Sequence, residues 1–365
     1  MPIIFDMTDV EPTDMNVQIS TTAEMMAMLH CIAEPGHHLE LSRELKAVDE
    51  DITSSTKRSM RSFSPLWARF RFRALMPLGR TENNDLESEL ASIRAIPLEA
   101  FVQMAVQVII GGRLEHALDI LHDGAHLVEF LEICRTRSEE REELGARLAY
   151  NPGLFREELL DFLEIFYVEC FHKRWASIAS RLKASELEVQ RRLAGGSPSM
   201  LLASLTPGAH LFPQTTQVAY DKLQNAFVDG AGHRFVLVPS ILTKPHVVVK
   251  YDTEYVGYDV PIVVQFPISE MGTVSRSIHE VQNQLAVLSD SARLEICRHL
   301  VNEYCTTSDL ARRLGISAPQ VSRHLRKLRE ANLLESVRDG KMIQHRIRTN
   351  VVYSLGYEFL TSVIK

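Results

Sequence analysis

The 365-residue sequence predicts a mainly α-helical protein with a small antiparallel β-sheet, in which a helical N-terminal domain precedes a smaller C-terminal domain. Two observations predict this class. Apolar residues recur at three- and four-residue spacing in the first two hundred residues, as on one face of a helix. Short β-branched runs bounded by proline then follow. Because the length exceeds what one core usually organises, we expect domains at 1–230 and 275–365, with the sheet at 231–270 between them.

Composition and charge narrow the class of protein. With 45% hydrophobic and 24% charged residues the chain is typical of a globular protein. Its net charge of −7 is unevenly distributed: from Ser275 to Lys365, 14 Lys and Arg stand against 9 Asp and Glu, and the remainder holds 26 against 38. Between Arg312 and Arg348 the ratio is 10 to 3. A compact basic region on an acidic body is typical of a nucleic-acid-binding module, although a solvated charged face gives the same count.

Targeting and membrane signals are weak in this sequence. The start, MPIIFDMTDVEPTDMN, is acidic and has no basic region followed by an apolar core. No run approaches the roughly 18 apolar residues that cross a bilayer. We therefore expect a cytoplasmic protein with no membrane partner.

The N-terminal domain is predicted to be helical from the spacing of its apolar residues. Asn151-Pro152 suits a helix N-cap followed by proline in the first turn. The apolar face of the helix that follows consists of Leu159, Leu163, Phe166 and Cys170. Further on, FVLVP, HVVVKY and PIVVQFP read as three strands of the small sheet, and Ser269–Ser275 as a hinge before the last domain.

The C-terminal domain begins with three predicted helices. The first covers Ser275–Leu288, and Ser289-Asp290-Ser291 can cap the second. Thr306 or Thr307 can cap a short third helix. Gly315 follows it, and because only glycine adopts a left-handed conformation cheaply, it predicts the tight turn of a helix-turn-helix.

The fourth helix carries the candidate DNA-contacting residues. Ser317 and Gln320 have capping-box spacing, and Pro319 stands in the first turn, where its missing N–H costs nothing. Val321, Leu325 and Leu328 form a narrow apolar stripe. The opposite face carries arginine, lysine, amide and hydroxyl groups, which can bridge phosphates and read base edges in a major groove. The candidates on this helix are Ser317, Pro319, Gln320, Ser322, Arg323, Arg326 and Lys327.

A hairpin and a last helix complete the domain. LLESV and MIQHRI alternate around Arg338-Asp339-Gly340-Lys341, and Asp-Gly between short strands predicts a type I′ turn. Arg338 and Lys341 flank the tip, where they would contact the DNA backbone, and are the remaining candidate site residues. The closing helix is expected from about Asn350 to Val363.

These motifs resemble, in unbroken order, the ArsR class of bacterial winged helix-turn-helix regulators. The segments that match are LSDSARLEI, DLARRLGIS, VSRHLRKLREANLL and RDGK, within residues 286–348. The resemblance implies a DNA-binding transcriptional regulator that acts as a homodimer on a pseudo-palindromic double-stranded operator. By position, Ser322, Arg323 and His324 occupy the family's S-R-H segment, where His324 either packs or contacts a phosphate.

The sequence departs from this family where its founding members bind metals. At the start of the third helix, Thr306, Thr307 and Ser308 replace the family's Cys-x-Cys pair, and hydroxyls are poor ligands for soft metals. The five cysteines are scattered and never spaced as C-x-x-C. We therefore expect no Cys-based metal sensor, no catalytic residues and no cofactor.

The N-terminal part also resembles an uncharacterised domain that precedes ArsR-type winged helices in long bacterial regulators. The similar elements are Ser64-Pro65-Leu66-Trp67, a helix running into Trp175, and the V-L-V-P-S segment. This domain supplies no known activity. From its size alone we expect it to receive a small-molecule or protein effector that changes DNA affinity.

Two alternatives to a DNA-binding regulator stay open from the sequence. His122 and His126, with Glu129 three residues on, place two imidazoles and a carboxylate on one face of a possible helix, as in a metal-dependent hydrolase. Alternatively, the protein is an interaction module with incidental DNA binding. Affinity that falls steeply with salt but retains sequence preference would favour the regulator.

Overall fold

A computed structural model describes residues 2–35, 48, 50–79, 85–112, 116–206, 209–212, 214–221, 225–244, 247–268, 278–301, 303–339, 342–348, 351–352 and 355. The chain divides into two compact units, which we call the first unit (Met1–Ile268) and the second unit (Ser269–Lys365). The predicted hinge at Ser269–Ser275 lies outside the described residues. So does most of the predicted closing helix, of which residues 351, 352 and 355 are helical.

Helices make up most of the first unit. Those described are α1 (Thr21–Ala33), α2 (Ser54–Ser62), α3 (Leu86–Arg94), α4 (Leu98–Ile110), α5 (Gly124–Arg137), α6 (Glu139–Tyr150), α7 (Pro152–Phe166), α8 (His172–Gly195) and α9 (Pro198–Ser204). A π-helical turn at Tyr167–Phe171 joins α7 to α8. The predicted start of α7 is confirmed, because the Asn151 side chain accepts a hydrogen bond from the Leu154 N–H at 3.1 Å. Its predicted apolar face is buried: Leu159, Leu163, Phe166 and Cys170.

Two four-stranded sheets accompany these helices. The first has the order β3-β4-β1-β5 and the second β2-β6-β10-β7, and a two-stranded β8-β9 hairpin stands apart from both. Their bounds are β1 (Pro2–Asp6), β2 (Met15–Val17), β3 (Ala209–Leu211), β4 (Gln217–Asp221), β5 (Ala226–Asp229), β6 (Phe235–Ser240), β7 (Val248–Lys250), β8 (Glu254–Tyr255), β9 (Tyr258–Asp259) and β10 (Ile262–Pro267).

The strand pairing differs from the antiparallel sheet that we predicted between 231 and 270. β6 pairs in parallel with both β10 and β2, and only β7 lies antiparallel to β10. The physical reason is that β6 is buried at every position and β10 at all but its last, as suits central strands of a parallel arrangement. Because β6 pairs with β2, which lies near the start of the chain, the strands between 231 and 268 belong to the first unit.

A buried carboxylate ties α1 to the end of β6. Glu24 accepts hydrogen bonds from the Ser240 hydroxyl at 2.5 Å and from the Ile241 and Leu242 N–H groups at 2.9 and 3.0 Å. Burial raises its pKa to about 7 against these hydrogen bonds, which favour the ionised form.

The aromatic core beside α1 includes Trp67, which is stacked on Phe162 at 5.7 Å between ring centroids.

The second unit contains α10 (Ile278–Leu288), α11 (Ser291–Leu300), β11 (Cys305–Thr306), α12 (Thr307–Leu314), α13 (Ala318–Glu330), β12 (Leu334–Asp339) and β13 (Met342–Ile347). The three strands form one antiparallel sheet in the order β11-β13-β12. The core of this unit is made by α11, α12, α13 and the sheet. The predicted class, mainly helical with small sheets, is confirmed.

Within the described parts of the chain, no single helix is long and apolar enough to cross a membrane. One pair, α3 with α4, reaches that length and composition only when the two helices are combined, and it is bent by 103° at its break.

Candidate nucleic-acid interface

The turn between α12 and α13 depends on one glycine. Gly315 ends α12 with φ of +65°, in the left-handed region. A Cβ at this position would meet nothing within 4 Å, so the backbone conformation alone requires glycine. At its other end α12 is capped by Thr306, whose hydroxyl accepts from the Asp309 N–H while the Asp309 carboxylate accepts from the Thr306 N–H. The predicted helix-turn-helix is confirmed.

The start of α13 is fixed by Ser317 and Gln320. The Gln320 Oε1 atom accepts from the Ser317 N–H at 2.9 Å and from its hydroxyl at 2.8 Å. Pro319 lies in the first turn, as predicted. Because its Oε1 atom is held in this cap, Gln320 presents its NH₂ group outward as a donor.

One side of α13 is anchored in the core of the second unit. Val321, Leu325 and Leu328 are buried in the cluster that also contains Ile296 and Leu310. This stripe at i, i+4 and i+7 orients the helix, so the residues opposite it face solvent. We call the predicted site residues of this helix and its N-cap, all of them exposed, the outer face of α13; they are Ser317, Pro319, Gln320, Ser322, Arg323, Arg326 and Lys327. Ala318, Arg329 and Glu330 are exposed as well.

The basic residues of the second unit differ in how they are neutralised. Arg312 and Arg313 form ion pairs at 2.7 and 2.5 Å with Asp309 and Glu303. By contrast, the Arg323 side chain has no hydrogen bond or ion pair with a described residue. The same holds for Lys327, and the Nε atom of Arg326 lies 3.9 Å from Glu330. Arg323 and Lys327 therefore place on the outer face two positive charges that no described carboxylate pairs with.

His324 lies beside this face and not on it. Its side chain is 24% exposed, and its Nδ1 atom lies 3.9 Å from the carboxylate of Asp290, the N-cap of α11. The structure therefore places His324 in a packing position next to α11.

The hairpin of β12 and β13 has a register slightly different from the one we predicted. Asp339 pairs with Met342 and so belongs to β12, whereas the sequence predicts it at the centre of the turn; Gly340 lies outside the described residues. The pairing places buried Leu334 opposite buried Ile347, and this contact with the core decides the register. Arg338 is exposed on β12, and Lys341 lies outside the described residues.

Two residues that we did not select from the sequence hold the interface in place. Arg293 of α11 is buried and donates through Nε to the Val287 carbonyl at 2.5 Å, while its Nη1 atom lies 3.3 Å from Asp290. It thereby joins the end of α10 to the start of α11. The signal was present in the LSDSARLEI motif, but the partner is a backbone carbonyl, which a sequence does not reveal.

The second is His345 of β13. Its Nδ1 atom lies 2.9 Å from the Ser336 hydroxyl and its Nε2 atom 3.5 Å from the Thr307 hydroxyl, so it bridges the hairpin and the start of α12. Burial lowers the pKa of His345, and the charge of Arg329 adds to the shift.

The cysteines are placed as core residues. All five are buried, and Cys297 and Cys305 belong to the core of the second unit. Burial raises the pKa of Cys297 to about 11, so the thiolate that binds soft metals is disfavoured. The described residues contain no group of three or more His, Cys, Asp or Glu side chains arranged to hold a metal ion.

The predicted helix face carrying His122, His126 and Glu129 is wrong. Asp123 caps α5, which begins at Gly124, so His122 precedes the helix and bonds to Asp119 at 3.1 Å. Glu129 lies 3.3 Å from His116 instead. The capping preference of aspartate, together with Gly124, starts the helix two residues too late for the expected face.

Comparison with known proteins addresses both units. Residues 1–272, about three quarters of the chain, match the model of a family of unknown function, DUF5937. The chain belongs to this family. Residues 288–337 match the model of a helix-turn-helix domain. The N-terminal resemblance to an uncharacterised domain is thus confirmed, and the family carries no activity that could be transferred to this chain.

Two curated proteins are similar to the second unit. The HTH-type transcriptional regulator KmtR of Mycobacterium tuberculosis is 36% identical over 69 residues, which are 19% of this chain and 53% of KmtR. The transcriptional repressor SdpR of Bacillus subtilis is 31% identical over 72 residues, 20% of this chain and 80% of SdpR. The chain therefore spans about half of the first relative and four fifths of the second.

Among solved structures, the homodimeric winged helix-turn-helix DNA-binding domain of a possible ArsR-family regulator from Mycobacterium bovis aligns at 23% identity, with a TM-score of 0.21. The alignment covers 24% of this chain and 79% of that one. On the sequence matches and its own fold, the second unit is a winged helix-turn-helix domain, as the motifs predicted.

Proposed function

We propose that this protein is a transcriptional regulator that binds a specific double-stranded DNA operator through α13. The observation that carries the proposal is the outer face: arginine, lysine, amide and hydroxyl groups stand on a helix whose opposite side is anchored in the core. A helix presented in this way fits the major groove of B-DNA. The similarity to KmtR and SdpR supports the same function.

Each residue of the outer face has a role that follows from its position. Arg323 is central and unpaired among the described residues, so its guanidinium can donate twice to one guanine. Gln320, with its Oε1 atom held by Ser317, is left with a donor for a phosphate or a base acceptor. Arg326 and Lys327 follow towards the end of the helix. Ser317 and Ser322 supply hydroxyls, and Pro319 lines the first turn; Arg338 and Lys341 of the hairpin would contact the DNA backbone.

We further propose that the regulator acts as a homodimer. The two α13 helices would enter successive major grooves, about 34 Å apart, on a pseudo-palindromic site. Exposed apolar side chains on the first two helices of the second unit, Leu285 and Leu294, are available for such pairing. Sedimentation of the protein alone and with its operator would measure the stoichiometry.

The proposal is tested by selecting bound fragments from random DNA and measuring affinities of the full chain by fluorescence anisotropy. Arg323→Ala should cost about 1–3 kcal/mol, roughly 5- to 150-fold in affinity, and relax preference at one base position. Lys341→Ala should weaken all sequences alike and reduce the salt dependence by about one counterion. Arg191→Ala is the matched control, because Arg191 is an exposed α8 residue paired with Glu188.

The outcome that refutes the interface is specific. If Arg323→Ala binds the selected site like the parent, α13 does not read that site. If all variants bind every duplex equally and salt abolishes binding without leaving a preference, the protein is not an operator-binding regulator.

We also propose that the first unit controls DNA affinity through a ligand; since dimerisation needs far less than its 268 residues, most of it serves another purpose.

A further inference from the structure

A cleft in the first unit contains two buried arginines. It is partly open to solvent and lies between the end of α4, the segment 70–73 and β7. Apolar walls are supplied by Phe70, Met104 and Val108. Arg71 and Arg73 line the same cleft, and all of these residues belong to one unit.

The two guanidinium groups are only partly satisfied. Arg71 is 7% exposed and donates through Nη1 to the Trp67 carbonyl at 3.0 Å. Arg73 is 2% exposed and donates to the Pro77 and Pro261 carbonyls at 3.1 and 2.8 Å. The Nε atom of each is buried without a hydrogen-bond partner. Each guanidinium group therefore keeps one buried N–H, that of Nε, without an acceptor.

Neither arginine has a carboxylate within ion-pair distance among the described residues. Two other charged residues line the cleft, Lys250 and Asp252, and their charges are of opposite sign. Burial lowers the pKa of both arginines to about 10, against nearby Cys31 and Glu34, which raise that of Arg71, and tyrosine hydroxyls, which raise that of Arg73. Buried charges in proteins are normally paired, because an unpaired ion is strongly destabilised away from water.

We propose that this cleft binds a small organic anion whose carboxylate or phosphate group pairs with Arg71 and Arg73. The oxygens of such a group accept from planar guanidinium donors in charge-assisted hydrogen bonds. The rest of the ligand would pack against Phe70, Met104 and Val108. The site stands independently of DNA binding; its role as the regulatory input rests on the function proposed above.

The test measures binding to the full chain by calorimetry and by the thermal shift of tryptophan fluorescence. The probes are inorganic phosphate, acetate and benzoate. Benzamide is the uncharged control for benzoate, and chloride at equal ionic strength is the control for the effect of salt. We expect saturable stabilisation by at least one anion, benzoate above acetate if the apolar walls contribute, and none by benzamide. Comparing the affinity for phosphate with that for acetate and benzoate shows whether the cleft prefers a phosphate or a carboxylate group.

Variants connect any binding to the cleft. Arg71→Gln should weaken the anion about tenfold or more, because a charge-assisted pair is lost. Arg73→Gln removes hydrogen bonds to two backbone carbonyls, so its anion affinity is interpreted only if the variant still unfolds cooperatively. Arg71→Gln removes one such hydrogen bond, and its anion affinity decides the test. Arg156→Gln is the matched control, since Arg156 also donates to a backbone carbonyl, that of Ile96, and lies outside the cleft.

The proposal is overturned if no anion stabilises the chain beyond chloride, if benzamide binds as well as benzoate, or if Arg71→Gln binds like the parent. Operator affinity with and without the bound anion is then measured separately. A change in affinity supports control by this site. If the anion binds and the operator affinity is unchanged, the cleft remains a binding site and its regulatory role is refuted.

Discussion

Removing the carboxylate of Glu89 is expected to destabilise the first unit strongly. Glu89 of α3 is buried and accepts from the Ser20 hydroxyl at 3.0 Å, from the Thr21 and Thr22 N–H groups at 2.9 and 2.8 Å, and from the Thr22 hydroxyl. Thr21 and Thr22 begin α1, so their N–H groups have no acceptor within the helix. One side chain from α3 therefore completes the first turn of α1.

The magnitude follows from what Glu89→Ala leaves behind. Two buried N–H groups lose their acceptor, at about 1–3 kcal/mol each, whereas the hydroxyls of Ser20 and Thr22 can turn towards each other. Burial raises the pKa of Glu89, so removing the carboxylate also relieves a desolvated group, which offsets part of the loss. We expect a decrease of about 2–4 kcal/mol in the free energy of unfolding, and roughly half of it for Glu89→Gln, which keeps one acceptor oxygen.

Tryptophan fluorescence during urea unfolding measures this change in the full chain. The chain has two tryptophans, Trp67 and Trp175, and both lie in the first unit, so the signal reports that unit alone. Glu87→Gln is the control, because Glu87 is an exposed residue on the same helix. A loss below about 0.5 kcal/mol for Glu89→Ala, or an equal loss for Glu87→Gln, would refute the reasoning, since surface changes stay within that size.

Three further predictions concern the turn, the buried acid and the thiols. Gly315→Ala should destabilise the second unit by about 1–2 kcal/mol, measured by hydrogen exchange of α12 and α13, whereas Ser322→Ala, at an exposed site of α13 without positive φ, should not. Because the pKa of Glu24 is raised from 4.5 to about 7, its contribution to the stability of the folded chain is fully present below pH 4.5 and is lost as the pH rises through 7. Urea unfolding should therefore give a lower free energy of unfolding at pH 8 than at pH 5, and this difference should be absent in Glu24→Gln. Burial raises the pKa of Cys297 to about 11 and that of Cys134 to about 12, so a thiol reagent at pH 8 should react slowly with the native chain and fully in urea; rapid native reaction would contradict their burial.

The winged helix-turn-helix could be predicted because its determinants are local. Ser317 and Gln320 meet three residues apart, Val321 and Leu325 lie one helical turn apart, and Gly315 acts through its own backbone angles. Such contacts depend on spacing along the chain, which a sequence displays directly. The residues of the outer face could therefore be named from the amino-acid sequence alone.

The sheets and the polar contacts of the first unit could not be predicted in this way. Local hairpin logic predicts antiparallel neighbours, but β6 pairs in parallel with β2, more than two hundred residues earlier in the chain. His122 was assigned to a helix face because the cap at Asp123 was not recognised. His345 and Arg293 were missed because their partners are a hydroxyl and a backbone carbonyl.

The sequence by itself determined the second unit and the face that would meet DNA, because short-range spacing sets both the caps and the stripe that orients α13. Only the tertiary structure decided which charges are compensated. It pairs Arg312 and Arg313 with carboxylates and leaves Arg323 without such a partner among the described residues. It also brings Arg71 and Arg73 into one cleft with β7, a strand that lies far along the chain from them. The reason is that burial and ion pairing depend on distances in space, which chain order does not specify.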